Sequence, residues 1–166
     1  MGMDFTVISP VRHRFGDEPD FEQSSDQNAP FVGAQKSFLF SCPKVDPRQM
    51  AVLQFESLGV GMGGYGLFPA DEGGGVRPDQ GLVRGILILN DVNIPAGITP
   101  GPGVPVGLKD NVPVIPIWKT HSLVVDANVL KEKNELFIEA REIRVGFGKR
   151  LDNFVIDNIV IFYKTL

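Results

Sequence analysis

Two segments near the C-terminal end of the chain constrain the fold most. Asn134 to Ala140 reads N-E-L-F-I-E-A, and Asp152 to Lys164 reads D-N-F-V-I-D-N-I-V-I-F-Y-K. In both, apolar and polar side chains alternate with a period of two, which is the pattern of a strand with one buried and one wet face. A glycine-bearing stretch with Gly146 and Gly148 separates them, so the region from 134 to 164 reads as two strands joined by a turn.

Further strand signals occur at Phe5–Ser9, Lys36–Ser41, Met50–Ser57, Leu82–Leu89, Val92–Ile94 and Ile117–Val125, each rich in β-branched or aromatic residues. Asn90-Asp91 separates two of these runs, and both residues tolerate the positive φ of a tight hairpin turn. Asp126 to Lys133 is the only helical candidate, a single turn with Asp126 or Asn128 as N-cap. The stretch from Arg14 to Pro30 is polar and reads as a surface loop. Six prolines and four glycines between Pro95 and Pro116 preclude a central strand or a helix over most of that length. With 19 glycines and 13 prolines in 166 residues, turns are frequent and long helices absent. The expectation is an all-β chain of roughly eight antiparallel strands with long Gly/Pro-rich loops, folded as a β-sandwich. Uneven loop lengths favour a jelly roll over an up-and-down barrel. Residues 1–166 read as one domain, with 1–35 a partly irregular N-terminal arm and loop.

Composition narrows the function classes. Sixteen basic and twenty acidic side chains give a net charge of -4, with no Lys/Arg cluster to follow a phosphate backbone, so nucleic acid is not an expected partner. No run approaches the roughly 20 apolar residues that span a bilayer, and a membrane partner is not expected either. The start of the chain lacks the order of a secretory signal, which reads as cytoplasmic unless another export route operates. Met1 to Thr6 fits the short myristoylation pattern, which is common by chance. Cys42 is the only cysteine, excluding an intrachain disulfide, and reads as a small hydrophobe at a strand end.

The motifs that could carry chemistry each lack a required partner. Gly59-Val60-Gly61-Met62-Gly63-Gly64 matches G-x-G-x-x-G after a strand, but Tyr65-Gly66-Leu67-Phe68-Pro69 cannot open the helix that would meet a pyrophosphate. His13 and His121 are the only histidines; Ser122 beside His121 would point to the opposite face of a strand, and no nucleophile elbow is present. Catalysis and cofactors are therefore not expected. Glu139, Asp152 and Asp157 could contribute oxygens to a calcium site, but no D-x-D-x-D-G spacing is present and solvated or turn-capping carboxylates are the favoured reading. Asn153 and Asn158 read as residues that hold turn or edge backbone.

Trp118 is the only tryptophan, and it follows the proline-rich stretch. An exposed indole offers a flat apolar face to a sugar ring, while a buried one fills a core. Alternation places Trp118, Thr120 and Ser122 on one strand face and Lys119, His121 and Leu123 on the other. Trp118, His121, Tyr65 and Phe68 are the candidate ligand-binding residues.

Together Val52–Ser57, Ile86–Val92, Val129–Glu139 and Asp152–Val160 resemble the galactose-binding-domain-like jelly rolls used by many carbohydrate-binding modules. Asn90-Asp91 stands where such domains often carry an N-G turn. Asn134-x-Leu136 stands for their G-x-N-x-L signature, with Glu132 in the glycine position, where a required positive φ would be strained. The resemblance covers about residues 50 to 164, with structural rather than ligand-binding motifs. It implies a non-catalytic binding module for carbohydrate or glycan; the alternative is a structural or assembly subunit that self-associates or packs into a larger particle.

Overall fold

The computed structural model describes residues 2–17, 29–58, 85–94, 97–98, 107–109, 112–114, 118–145, 148–151 and 153–166. The strands are β1 (Met3–Ser9), β2 (His13–Phe15), β3 (Phe31–Gly33), β4 (Gln35–Ser41), β5 (Met50–Leu58), β6 (Gly85–Leu89), β7 (Val92–Asn93), β8 (Gly107–Lys109), β9 (Val112–Val114), β10 (Lys119–Asp126), β11 (Lys133–Ala140), β12 (Glu142–Val145), β13 (Gly148–Leu151) and β14 (Phe154–Lys164). A six-stranded sheet runs β10-β5-β14-β2-β3, with β1 also on β14, and a four-stranded sheet runs β4-β11-β6-β7. The two sheets pack face to face as a β-sandwich, and β8-β9 and β12-β13 form separate hairpins.

Alternation puts one set of side chains between the sheets. Ala51, Leu53 and Phe55 from β5, Ile156, Ile159 and Ile161 from β14, Leu136 and Ile138 from β11, and Leu87 from β6 are fully buried in one cluster. Burying each large aliphatic or aromatic side chain contributes on the order of 1.5–3 kcal/mol, so this layer is the main source of stability.

Strand β14 holds the sandwich together and departs from strict alternation. Asp157 pairs with Glu56 but Val160 pairs with Gln54, so one extra residue is inserted, and Asn158 there has φ of 51°. This β-bulge lets Ile159, Ile161 and Tyr163 face the same core as Phe154 and Ile156. Asn is one of the few non-glycine residues that take this conformation at low cost.

The strands expected at Lys36–Ser41, Met50–Ser57, Val92–Ile94 and in the last third are present within a residue or two. The short helical turn is a 3-10 turn, Ala127–Val129, with the Asp126 side chain accepting from the Asn128 N–H. Asn90 and Asp91, at φ of 48° and 67°, make the tight β6–β7 turn. Glu132 is not among the residues with positive φ, so it carries no left-handed strain. The strand expected at Phe5–Ser9 is present as β1, paired along β14, and β2 brings Phe15 into the core at 1% exposure. Three expectations need correction. Strands β11 and β14 are not partners: each is central to a different sheet, with β12 and β13 between them in sequence. The β2–β3 pairing is parallel, not antiparallel. The proline-rich stretch contains the β8–β9 hairpin, with Pro113 inside a two-stranded ladder. Leu82–Arg84 and the glycine-dense loop from Gly59 to Gly81 lie outside the described residues.

Candidate functional site

The outer face of the six-stranded sheet is exposed at Phe5, Val124 and Trp118 but buried at Val155 and Leu58, and its strand registers lay the side chains out in rows. One row is Phe5, Phe162, Val52 and Val124, and the next is Val7, Val160, Gln54 and Ser122. Below them Asp157 pairs with Glu56, and Glu56 with Thr120. Trp118 sits just before β10, on the side of Thr120 and Ser122, and is 37% exposed.

Around Trp118 the face is polar and tightly organised. The Arg12 guanidinium carbon lies 5.0 Å from the centre of the Trp118 ring, a cation–π arrangement, while its Nε donates to Asp157 Oδ2 at 2.6 Å. Asp157 is buried at 7%, and its other oxygen accepts from the Asn158 N–H at 2.9 Å. Asn158 Nδ2 donates to Glu56 Oε2 at 3.1 Å. The bulge aims these groups: Asp157 points outward, Ile159 returns to the core, and the exposed Asn158 side chain lies over Glu56. An aromatic plane thus adjoins a guanidinium, two carboxylates and a carboxamide, groups able to bond both the donors and the acceptors of a polyol.

Of the four residues marked from sequence, two are among the described residues, and of these Trp118 belongs to this arrangement. His121 is 4% exposed on the inner face, its Nε2 hydrogen-bonded to Ser57 Oγ at 2.8 Å and its ring stacked on Phe55 with centroids 4.4 Å apart. Burial, aided by the nearby Lys119 charge, lowers its pKa to about 4. The strand period that exposes Trp118 turns His121 inward, which removes it as a ligand-binding residue. Tyr65 and Phe68 lie outside the described residues. Arg12 and Glu56 were missed because the pairings that bring them to Trp118 span more than 60 residues, and Asp157 and Asn158 had been read only as cation-binding or turn residues.

The two Ser–His contacts are core features. Ser57 is 1% exposed and no carboxylate is bonded to His121. His13 Nε2 bonds Ser9 Oγ at 2.8 Å, its Nδ1 has no partner, and its ring meets Phe38 edge-on. All four of these Ser and His residues are buried. Glu139 and Asp157 are on different sheets, and Asp152 lies outside the described residues. Among the described residues no three His, Cys, Asp or Glu side chains are grouped to hold a metal ion.

Two other concavities occur. An open groove of about 490 Å³ is lined by Leu39, Ser41, Asp91, Lys131, Lys133 and Glu135, among others. The buried Asn134 and the Asn90 beside it are committed to each other and to backbone in its wall. A smaller apolar cleft of about 190 Å³ lies between β7 and β10, lined by Val92, Ile94, Val124 and Val129.

No protein-family model matches the chain, and no curated protein sequence matches it. Solved structures that match the chain include two crystal structures of BuGH86 in complex with neoagarooctaose, each with 10% identity and a TM-score of 0.45 over 96% of this chain. Another is BpGH86A, a β-porphyranase of glycoside hydrolase family 86 from the human gut bacterium Bacteroides plebeius, with 12% identity and a TM-score of 0.45 over 99% of this chain. The chain spans 18% of the length of the first two and 21% of the third.

Proposed function

We propose that this chain is a non-catalytic glycan-binding module built on a galactose-binding-domain-like jelly roll. The observation that carries the reading is the part-exposed Trp118 plane against Arg12, with Asp157, Asn158 and Glu56 linked to it in turn on the outer sheet face. A sugar ring stacks its C–H face on an indole and satisfies its hydroxyls with planar polar side chains, and this cluster supplies both. Two carboxylates against one guanidinium leave the cluster net negative, which favours neutral glycans over sulfated or uronic ones.

The same geometry argues against turnover. The Asp157 and Glu56 side chains are engaged with Arg12 and Asn158, so neither is placed to act as a general acid or base. Isothermal titration against neutral and acidic oligosaccharides tests the reading. Heat of binding with neutral glycans that disappears in Trp118→Ala supports it. Absence of binding to every glycan, binding unaffected by Trp118→Ala, or release of reducing ends from a polysaccharide panel overturns it.

A further inference from the structure

The half of the outer sheet face away from Trp118 is apolar and exposed. The Phe5, Phe162, Val52 and Val124 row crosses four strands without a polar side chain, with Phe5 58% and Val124 64% exposed. Met3 at 74% and Met50 at 56% flank it on one side, and Val7 at 47% on the other. The Phe5 and Phe162 rings lie 6.1 Å apart. Strand and residue spacings make three rows across four strands about 400 Å² in projection, within the size range of functional patches on monomers.

We infer that this face is a self-association surface, on which a second copy of the chain packs sheet to sheet. Charge selects that occupant. The row beyond Phe162 and Val52 carries two charges of opposite sign: Lys164, in register with Met3, and Asp126, in register with Met50. A two-fold axis parallel to the strands and between β14 and β5 lays Phe162 over the partner's Val52. It also brings Lys164 within one strand spacing of the partner's Asp126, twice over by symmetry. Lys164 and Asp126 are the charges of these three rows, Gln54 and Ser122 are their neutral polar members, and the other side chains are apolar. Aligned sheets cross at about 30°, which moves the Lys164 row by about one strand width, a shift its long side chain can span, and the more distant Trp118 rows by about two. Doubling about 400 Å² gives about 800 Å², below the roughly 1,200 Å² of stable specific interfaces, so the dimer is weak and concentration-dependent.

Sedimentation equilibrium on the full chain from ~10 μM to ~1 mM reads the association directly, the range in which an interface of this size dissociates. The expected result is a monomer–dimer equilibrium weakened at least about tenfold by Val124→Glu and by Lys164→Glu, with wild-type circular dichroism in both. Lys164→Glu combined with Asp126→Lys restores association. A monomer at every concentration, an equilibrium unchanged by Val124→Glu, or a charge-reversed double variant no stronger than Lys164→Glu alone overturns the inference.

Discussion

The Arg12 guanidinium lies 5.0 Å over the Trp118 ring while its Nε is bonded to Asp157 at 2.6 Å, so one side chain ties the aromatic plane to the bulged central strand. Removing either partner has separable consequences. Trp118→Ala removes a part-exposed ring and costs less than about 1 kcal/mol of stability, yet is expected to weaken glycan binding at least about tenfold.

Arg12→Ala acts on both quantities. It leaves the Asp157 carboxylate, 7% exposed, without its cation, which is expected to cost about 1–3 kcal/mol in urea unfolding. Arg12→Lys keeps the charge but loses the flat guanidinium over the indole, and should recover more stability than binding. Equal recovery of both would show that the guanidinium plane does not shape the site.

How much of this was legible in the sequence follows from the range of each interaction. The β11 and β14 strands and the Asn90-Asp91 turn are written in local alternation and in residues that tolerate positive φ, so they read directly. The bulge at Asn158 does not: strict alternation along Phe154 to Tyr163 puts Ile159 and Ile161 opposite Ile156, whereas all three are in one core. The parity that separates Trp118 from His121 was readable, but which side was wet was not, because Lys119 and His121 share a face with Leu123. That face became the inner one through pairing with β5, where Phe55 and Ser57 receive the His121 ring. The two strands that hold β11 and β14 in different sheets are likewise invisible locally, since pairing partners are chosen by contacts far apart in sequence.

Asn134 closes the opposite end of the sandwich. Its Oδ1 accepts from Asn90 Nδ2 at 2.8 Å and from the Lys131 N–H at 2.7 Å, and its Nδ2 donates to the Lys131 carbonyl at 2.7 Å. The residue is 4% exposed, so Asn134→Leu leaves buried backbone groups unpaired and is expected to cost about 2–3 kcal/mol in urea unfolding. Asn90→Gly keeps the turn conformation but loses the Asn90 bonds to Asn134, Val129 and Glu135, and should cost less. A loss under about 0.5 kcal/mol in Asn134→Leu would contradict the network's role.

Cys42 is expected to be inert in the folded protein. It is 1% exposed at the end of β4, and burial pushes its thiol up to about 11 against a weak lowering by its Thr6 contact. Since the thiolate is the reacting species, a disulfide reagent at pH 8 should modify it only as urea unfolds the chain. Rapid labelling in buffer alone would show that the β4 end opens locally.

Stability should fall on acidification through the two histidines. Burial lowers the pKa of both, that of His121 to about 4, so each favours the neutral form in the folded state. The unfolded chain, with histidines near 6.5, therefore binds more protons than the folded chain below that value. Their stabilisation is complete above about pH 6.5 and for His121 is lost as the pH falls towards 4, by about 3 kcal/mol on the linkage relation. Urea unfolding at pH 7 and pH 4.5 measures the difference. His121→Gln retains an acceptor for Ser57 but does not titrate, so it should unfold more readily at pH 7 and lose distinctly less stability than wild type between the two pH values. A pH dependence identical to wild type would show that His121 is not the group responsible.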